Sequence, residues 1–199
     1  QGNTPFLNAS YMNDLNTVKF LYQHMKDINY RNKEGVSALT NAVQRNSVGV
    51  IKFLVKSGAD VLVKDKKGNN LFFYLIKYFK PKKLHLLREK VEILSANGFD
   101  ISQKQKDGNS LYHLAIETKD VEFLEWVYSQ NIEINSKNNN GITPLHKAIM
   151  TGKNDELIKL LIRFGADKTI KTDFDESSYE LALENELLKK NATDINFLK

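Results

Sequence analysis

The sequence predicts an all-α fold in which short helix-turn-helix units stack into a solenoid with projecting turns. A glycine recurs at a nearly constant interval, an alanine follows it at a fixed distance, and a second apolar cluster comes later in each unit. Self-similarity with a period between about 20 and 50 residues is typical of stacked repeats rather than of one compact core. Each repeat is therefore expected to bury its apolar face against its neighbours.

The recurring glycine defines the repeat boundaries. The glycines are Gly2, Gly35, Gly68, Gly108 and Gly141. Successive intervals are 33, 33, 40 and 33 residues. Alanine stands seven residues after four of these glycines, and Leu75 takes its place in the third repeat. A sixth repeat has Ala182, which places its turn at Asp175, 34 residues after Gly141.

Each repeat is expected to begin with a turn and to continue into a short first helix. Thr4-Pro5 and Thr143-Pro144 mark two of these helix starts. The hydroxyl can cap free N–H groups, and proline loses no hydrogen bond at the first helical position. The small alanine that follows lets neighbouring first helices approach closely.

A second helix is predicted in each repeat from apolar residues at helical spacing, such as Ile51 and Leu54. Several of these helices are followed by a glycine, which supplies the left-handed residue that stops a helix. Such exits lie at 58–60, 98–100 and 165–167, and Asn131 takes the same place in the fourth repeat.

The third repeat departs from this pattern. It has Leu75 for alanine and carries seven extra residues between its two helices, around 78–83. Pro81 is expected to follow the end of the first helix, because the residue before a proline avoids the helical region. The second helix is predicted to begin near Leu84 and to be longer than its counterparts.

The two ends of the chain differ. The sixth repeat has Asp175 for glycine, a polar outer face and no full second helix, which is typical of a terminal cap. The first repeat begins directly at its turn, so Phe6, Tyr11 and Met12 are expected to be partly exposed. We therefore expect further repeats before residue 1.

The period of 33, Gly-x-Thr-Pro-Leu-His-x-Ala at 141–148 and Gly-Ala-Asp at 58–60 and 165–167 together resemble the ankyrin repeat. The resemblance covers Gly2 to about Leu188. It implies a single domain over 1–199, with repeats starting near 1, 34, 67, 107, 140 and 173, the last a degenerate cap. It also implies a curved solenoid that binds other proteins through its concave face and its projecting turns, or fingers.

Composition leaves several partners open. The formal charge is +5 and the pI about 9.1, which favours acidic proteins, nucleic acid or anionic membranes, or simply a soluble lysine-rich surface. The longest apolar stretch, 71–76, is far too short to cross a bilayer. The compartment stays open, because a signal peptide preceding residue 1 would give a periplasmic or secreted protein. The Lys- and Asn-rich composition favours a bacterial source.

No residue pattern indicates catalysis, a cofactor or a metal. The chain has no cysteine, no Gly-x-Ser-x-Gly nucleophile elbow and no glycine-rich phosphate loop. His113 and His146 share one register, so they lie about 10 Å apart, too far to ligate one zinc ion. The resemblance implies a structural role for both. Asp173 and Asp175 begin a calcium-like loop that lacks its central glycine and its last glutamate. We therefore predict a non-enzyme without cofactor or metal.

Basic residues dominate the second, third and fourth predicted fingers. Together with exposed aromatic and methionine side chains of the inner helices, they predict a site for an acidic segment of another protein. The predicted site residues are Arg31, Lys33, Arg45, Lys64, Lys66, Lys67, Lys77, Tyr78, Lys104, Lys106 and Met150.

Three alternatives remain beside this prediction. The stripe of basic residues on the second, third and fourth fingers is equally compatible with a lysine-rich face that only contacts solvent. It could also track the phosphates of nucleic acid or another anionic surface, although it is rich in lysine rather than arginine and lacks a base-reading helix. A third possibility is a docking arm for an enzyme encoded upstream. The chain is expected to be a monomer.

Overall fold

The computed structural model describes residues 2–45, 47–153 and 155–199, with the backbone alone at Pro81. These residues form helices joined by turns and contain no β-strand. The chain divides into an N-terminal half, 1–101, and a C-terminal half, 102–199. The helical class predicted from the sequence is confirmed.

The N-terminal half holds three helix pairs. The inner helices α1 and α3 pack on each other, and α3 packs on α5. The outer helices α2 and α4 pack against α1 and α3, and the outer helix α6 packs against α4. Their bounds are α1 Pro5–Met12, α2 Leu15–Tyr22, α3 Ala38–Gln44, α4 Val48–Lys56, α5 Leu71–Lys77 and α6 Leu84–Ser95, with a 3-10 turn at Pro81–Lys83.

The C-terminal half repeats the arrangement. Inner helix α9 packs against both α7 and α11, and each inner helix packs against its own outer partner. The bounds are α7 Leu111–Thr118, α8 Val121–Ser129, α9 Pro144–Thr151, α10 Glu156–Arg163, α11 Ser178–Glu184 and α12 Glu186–Lys190, with a 3-10 turn at Asn196–Leu198. The last outer helix has five residues, as expected for a cap.

The fingers share one hydrogen-bond pattern. In the second finger the N–H of Asn32 donates to the carbonyl of Val36, and the N–H of Gly35 donates to the carbonyl of Asn32. Gly35 has φ of +81°, a conformation that glycine adopts without a steric penalty. Asp175 has φ of 64°, so its predicted place at the turn position is confirmed. The same pair of bonds recurs around Gly68, Gly108, Gly141 and Asp175.

Side chains cap the inner helices as the sequence predicts. Thr4 and Thr143 are the N-caps of α1 and α9, and each hydroxyl accepts a backbone N–H three residues on. The residues seven places after the turn are all buried, which lets the inner helices pack closely. They are Ala9, Ala42, Leu75, Ala115, Ala148 and Ala182.

Two predictions about particular segments have different outcomes. The long second helix of the third repeat is confirmed, because α6 begins at Leu84 and has 12 residues. The predicted exposure of Phe6 is wrong, since only 3% of the residue is exposed. Phe6 lies on the face of α1 that packs against α2 and α3, whereas Tyr11 and Met12 at the end of the helix are exposed as expected.

Candidate protein-binding groove

The N-terminal half contains a groove of about 750 Å³ between the inner helices and the second and third fingers. We call it the basic groove. Seventeen residues line it: Asn3, Asn8, Tyr11, Asn32, Lys33, Glu34, Val36, Asn41, Gln44, Asp65, Lys66, Lys67, Asn69, Phe73, Tyr74, Lys77 and Tyr78. Five of these, Lys33, Lys66, Lys67, Lys77 and Tyr78, belong to the site predicted from the sequence.

The floor of the basic groove follows from the repeat period. Asn8, Asn41 and Tyr74 stand 33 residues apart on α1, α3 and α5, so one position of the repeat supplies a row across three helices. Nδ2 of Asn41 donates to the carbonyl of Leu7 at 2.9 Å, which fixes the side chain in place. The floor is therefore a row of amide and hydroxyl groups.

The walls of the basic groove carry unpaired cations. Within 2–45 and 47–101, no carboxylate lies within ion-pair distance of Lys33, Lys66, Lys67 or Lys77. All four side chains are exposed. The carboxylates of Glu34 and Asp65 also line the groove, so the four lysines leave it with an excess of positive charge rather than an uncompensated one.

Asp65 is a structural carboxylate of the third finger. It accepts hydrogen bonds from the hydroxyl of Tyr74 at 2.6 Å, from Nδ2 of Asn69 at 2.8 Å and from the backbone N–H of Lys67 at 2.8 Å. Burial opposes ionisation of Asp65, but these bonds outweigh it and lower its pKa. Burial and then the hydrogen bond to Asp65 raise the pKa of Tyr74, so its hydroxyl keeps its proton.

Aromatic rings surround the cation at the far end of the basic groove. Nζ of Lys77 lies 5.4 Å from the ring centre of Phe73 and 5.5 Å from that of Tyr78. Nε2 of Gln44 donates to the hydroxyl of Tyr78 at 2.7 Å. This bond links α3 to the residue after α5 and holds Tyr78 in position, although 37% of it stays exposed.

Three predicted site residues of the N-terminal half lie outside the basic groove. The guanidinium of Arg31 lies 3.8 Å from the carboxylate of Asp60 and 3.5 Å from the carbonyl of Lys64, and Lys64 does not line the groove. Arg45 stacks over the ring of Tyr11 at 4.6 Å. Arg45 therefore borders the groove through Tyr11 without lining it.

The remaining predicted residues, Lys104, Lys106 and Met150, belong to the C-terminal half. Nζ of Lys104 donates to the carbonyl of Lys137 at 2.9 Å. The carbonyl of Lys106 accepts from Nδ2 of Asn139, which joins two fingers. Met150 is 52% exposed at the end of α9.

Lysines of the C-terminal half more often have partners. Lys147 forms an ion pair with Glu117 on the neighbouring inner helix, and Lys137 pairs with Asp173 at 2.9 Å. The inner-helix cation of this half is thus neutralised, unlike Lys77. The sequence alone does not reveal this difference, because it depends on which side chains meet.

The two histidines of the repeat register join neighbouring repeats. Nε2 of His113 donates to the carbonyl of Ile142, and Nε2 of His146 to that of Ile170, each at 2.8 Å. Nδ1 of His113 accepts the N–H of Ser110, so the neutral ring satisfies both partners. Burial is the main cause that lowers the pKa of His113 to about 4 and lowers that of His146. Both are therefore structural groups.

The described residues contain neither a metal-binding cluster nor a membrane-spanning helix. Over 2–45, 47–153 and 155–199, no three His, Asp or Glu side chains come together as a metal site. None of the helices in the same ranges is long and apolar enough to cross a membrane. Among the cavities lined by described residues, the basic groove combines volume, lysine side chains and open polar groups.

The stacked pairs of helices and the projecting fingers define a helical repeat protein. The chain belongs to the ankyrin-repeat family: the family model for ankyrin repeats (3 copies) matches residues 1–65 and 83–172. The gap between the two matched segments, 66–82, covers α5 and the start of the insert, where the third repeat departs from the pattern.

Curated relatives share only part of their length with this chain. An ankyrin repeat protein of Fowlpox virus is 34% identical over 44% of the chain and 26% of its own length. An IkB-like protein of African swine fever virus is 35% identical over 52% of the chain and 44% of its own length. Alpha-latrotoxin-Lg1a of Latrodectus geometricus is 33% identical over 49% of the chain and 7% of the toxin. The matched relatives are viral, spider and plant proteins, so a bacterial source is not confirmed.

Solved structures match over nearly the whole chain. An ankyrin repeat domain from Acinetobacter baumannii has a TM-score of 0.75 at 21% identity and covers 96% of this chain and 98% of its own. A chain from the complex of a Bdellovibrio bacteriovorus predatory endopeptidase with its immunity protein has a TM-score of 0.76 at 22% identity, over 96% and 99%. At this identity the likeness confirms the fold alone, an ankyrin-repeat solenoid.

Sequence reasoning missed several residues that line the basic groove. Asn8, Asn41 and Tyr74 form its floor. Phe73 adds an aromatic ring beside Lys77, and Asp65 lies on the third finger. The 33-residue register would have placed the first three in one row. Charge and exposure give no signal at these positions, because two of the side chains are amides and Tyr74 is buried.

Proposed function

We propose that this chain is a non-catalytic protein-interaction module that binds an acidic segment of a partner protein in the basic groove. Ankyrin repeats are protein-interaction modules, and the proposal adds the place and the chemistry of binding. The observation that carries it is the group of four lysines without ion-pair partners around a floor of amide and hydroxyl groups, with aromatic rings at the far end. A carboxylate-bearing segment complements that combination better than a neutral or basic one.

The chemistry of the walls assigns different tasks to different residues. Exposed lysines attract an acidic partner over long range and mainly raise the association rate, an effect that salt screens. Aromatic side chains such as Tyr78 and Phe73 provide area that a partner can bury, and such contacts mainly slow dissociation. The lysines of the groove therefore favour acidic partner segments, and its aromatic side chains slow the dissociation of a bound segment.

The experiment that tests the proposal is capture of binding proteins from a lysate of source cells with three baits. The first bait is the parent chain, and the second is the triple variant Lys33→Gln, Lys66→Gln and Lys67→Gln. The third is a control that loses the same charge at exposed positions outside the groove, Lys19→Gln, Lys26→Gln and Lys56→Gln. A protein captured by parent and control but not by the groove variant supports the proposal.

Two outcomes would contradict it. Equal capture by the groove variant and the control would move binding to another surface. Binding that disappears when nuclease is added to the lysate would show that nucleic acid, rather than a protein, is what the lysines hold. Far-UV circular dichroism of all three baits establishes that each is folded.

A further inference from the structure

The basic groove has a periodic wall as well as a periodic floor. Lys33 and Lys66 occupy the same position of consecutive fingers, 33 residues apart, and neither has an ion-pair partner within the described N-terminal half. Inner helices α3 and α5 of these repeats pack directly on each other. Packed helices lie about 8–10 Å apart, so the two lysines present positive charge at roughly that interval.

A polyproline-II segment rises about 3.1 Å per residue with three residues per turn. Every third side chain of such a segment points in one direction, and successive ones are about 9 Å apart. This interval matches the spacing of equivalent positions in neighbouring repeats. Carboxylates at every third position of an extended partner would therefore meet Lys33 and Lys66 in turn.

The floor of the groove also favours an extended backbone. Among described residues, Oδ1 of Asn41 and Oε1 of Gln44 accept no hydrogen bond, while the nitrogen of each amide is already engaged. Both oxygens can accept backbone N–H groups from a bound segment. A polyproline-II backbone leaves its N–H groups open, whereas an α-helix uses almost all of them internally.

Size points in the same direction. An α-helix with its side chains is about 10–12 Å wide, so two turns of it occupy more than the groove's volume of about 750 Å³ and would lie partly outside the groove. A single extended strand of a few residues fits that volume and lets side chains on both sides reach the walls.

We propose that the basic groove binds an extended, polyproline-II-like segment that carries an acidic residue at every third position. This inference rests on the proposed function above and specifies the segment's conformation and the spacing of its charges. Lys33 and Lys66 each receive one carboxylate, and Asn41 and Gln44 accept N–H groups between them.

The test compares two synthetic peptides of identical composition by fluorescence anisotropy. One repeats the triplet Asp-Pro-Ala, which favours polyproline II and places aspartate at every third residue. The other has the same residues with its aspartates in adjacent pairs. We expect the triplet peptide to bind about fivefold more tightly, since two exposed ion pairs each contribute modestly.

Variants of the whole chain locate the effect. In Lys33→Gln and in Lys66→Gln we expect the preference for the triplet peptide to fall by about half or more, and the control Lys56→Gln to retain it. A preference that persists in both groove variants would overturn the inference.

The outcomes separate this inference from the proposed function. If both peptides bind equally and both lose affinity in the lysine variants, the groove binds acidic segments but the spacing is wrong. If neither peptide binds, both the spacing and the acidic-segment chemistry of the groove are contradicted.

Discussion

The backbone N–H of Lys66 donates to the carbonyl oxygen of Glu34 at 2.9 Å, which joins the tips of the second and third fingers. Asn139 and Asp107 form the equivalent bond between the fourth and fifth fingers, at 3.0 Å. Fingers whose tips are joined by hydrogen bonds form a wall that is already in place in the free protein. A preformed wall is expected to bind with little backbone change.

Substituting Gly35 by alanine should break the link between these fingers. A Cβ atom at Gly35 would lie 2.8 Å from the backbone nitrogen of Lys66, and φ there is +81°. We expect Gly35→Ala to lower the free energy of unfolding by about 2–4 kcal/mol, because backbone strain and a clash with backbone add. Urea unfolding followed by circular dichroism measures the change.

Gly58→Ala is the matched control for this prediction. Gly58 also has positive φ, +90°, but a Cβ atom there would meet nothing within 4 Å. It should therefore cost only the conformational strain, about 1–2 kcal/mol. Equal losses in the two variants would show that close approach of the fingers does not matter.

Substituting Asp65 by asparagine should change stability and binding in opposite directions. Asparagine can still accept the backbone N–H groups of the finger, as Asn32 does in the second finger, but its NH₂ group cannot accept from Tyr74 or Asn69. We expect a loss of about 1–2 kcal/mol in unfolding free energy. Affinity for the acidic triplet peptide should rise about twofold, because a negative charge leaves the groove. Weaker peptide binding by a folded variant would argue against electrostatic attraction there.

The structural histidines predict an acid-sensitive stability. Burial first of all lowers the folded-state pKa of His113 to about 4, whereas in the unfolded chain it is about 6.5. The unfolded state therefore binds the proton more readily below pH 6.5, and stability is present above that pH and lost as pH falls toward 4. His113 alone accounts for up to about 3 kcal/mol, and the lowered pKa of His146 adds in the same direction.

Urea titrations at a series of pH values between about 7.5 and 5 test this linkage, because most carboxylates stay ionised there. In His113→Gln we expect lower stability at neutral pH and a shallower loss on acidification. His85→Gln, at an exposed position of α6, serves as the control and should keep the parent's slope. A slope that is unchanged in His113→Gln would refute the role assigned to this ring.

Tyr78 should act on dissociation and the groove lysines on association. Tyr78→Ala removes a ring that borders Lys77 and a hydroxyl that accepts from Nε2 of Gln44, so we expect the dissociation rate of a captured partner to rise about tenfold. Raising salt from about 50 to 500 mM should slow association by about tenfold in the parent and less in the triple lysine variant. Surface plasmon resonance separates the two rates. Salt-independent association, or an unchanged dissociation rate in Tyr78→Ala, would contradict these assignments.

Much of the fold can be predicted from the sequence, because each structural position occurs once in every repeat and can be compared between repeats. Counting from Gly141 and Ala182 predicts the turn at Asp175, and Pro81 within the seven-residue insert predicts that α6 begins near Leu84. Phe6 shows the limit of this reasoning, because its exposure was inferred from its position in the chain. Its burial depends on which face of α1 it occupies.

The candidate site was less predictable, because charge on a sequence does not reveal whether that charge is paired. Arg31 and Lys66 look alike as finger residues, yet Arg31 lies beside Asp60 and Lys66 faces the groove. Asn41 carries no charge and so gave no signal, although it lies on the floor of the groove. Whether a charged side chain forms an ion pair, and whether it points into the groove, depends on side-chain geometry that the repeat pattern does not determine.

NMR gives the sharpest test of whether the basic groove is the binding surface. The measurement is a titration of the isotope-labelled chain with the Asp-Pro-Ala triplet peptide, followed through its backbone amide shifts. If the peptide binds in the basic groove, the largest shifts lie at Asn41, Gln44, Lys66, Lys67 and Lys77. Shifts confined to the outer helices, or to residues of the C-terminal half such as Met150, would contradict it.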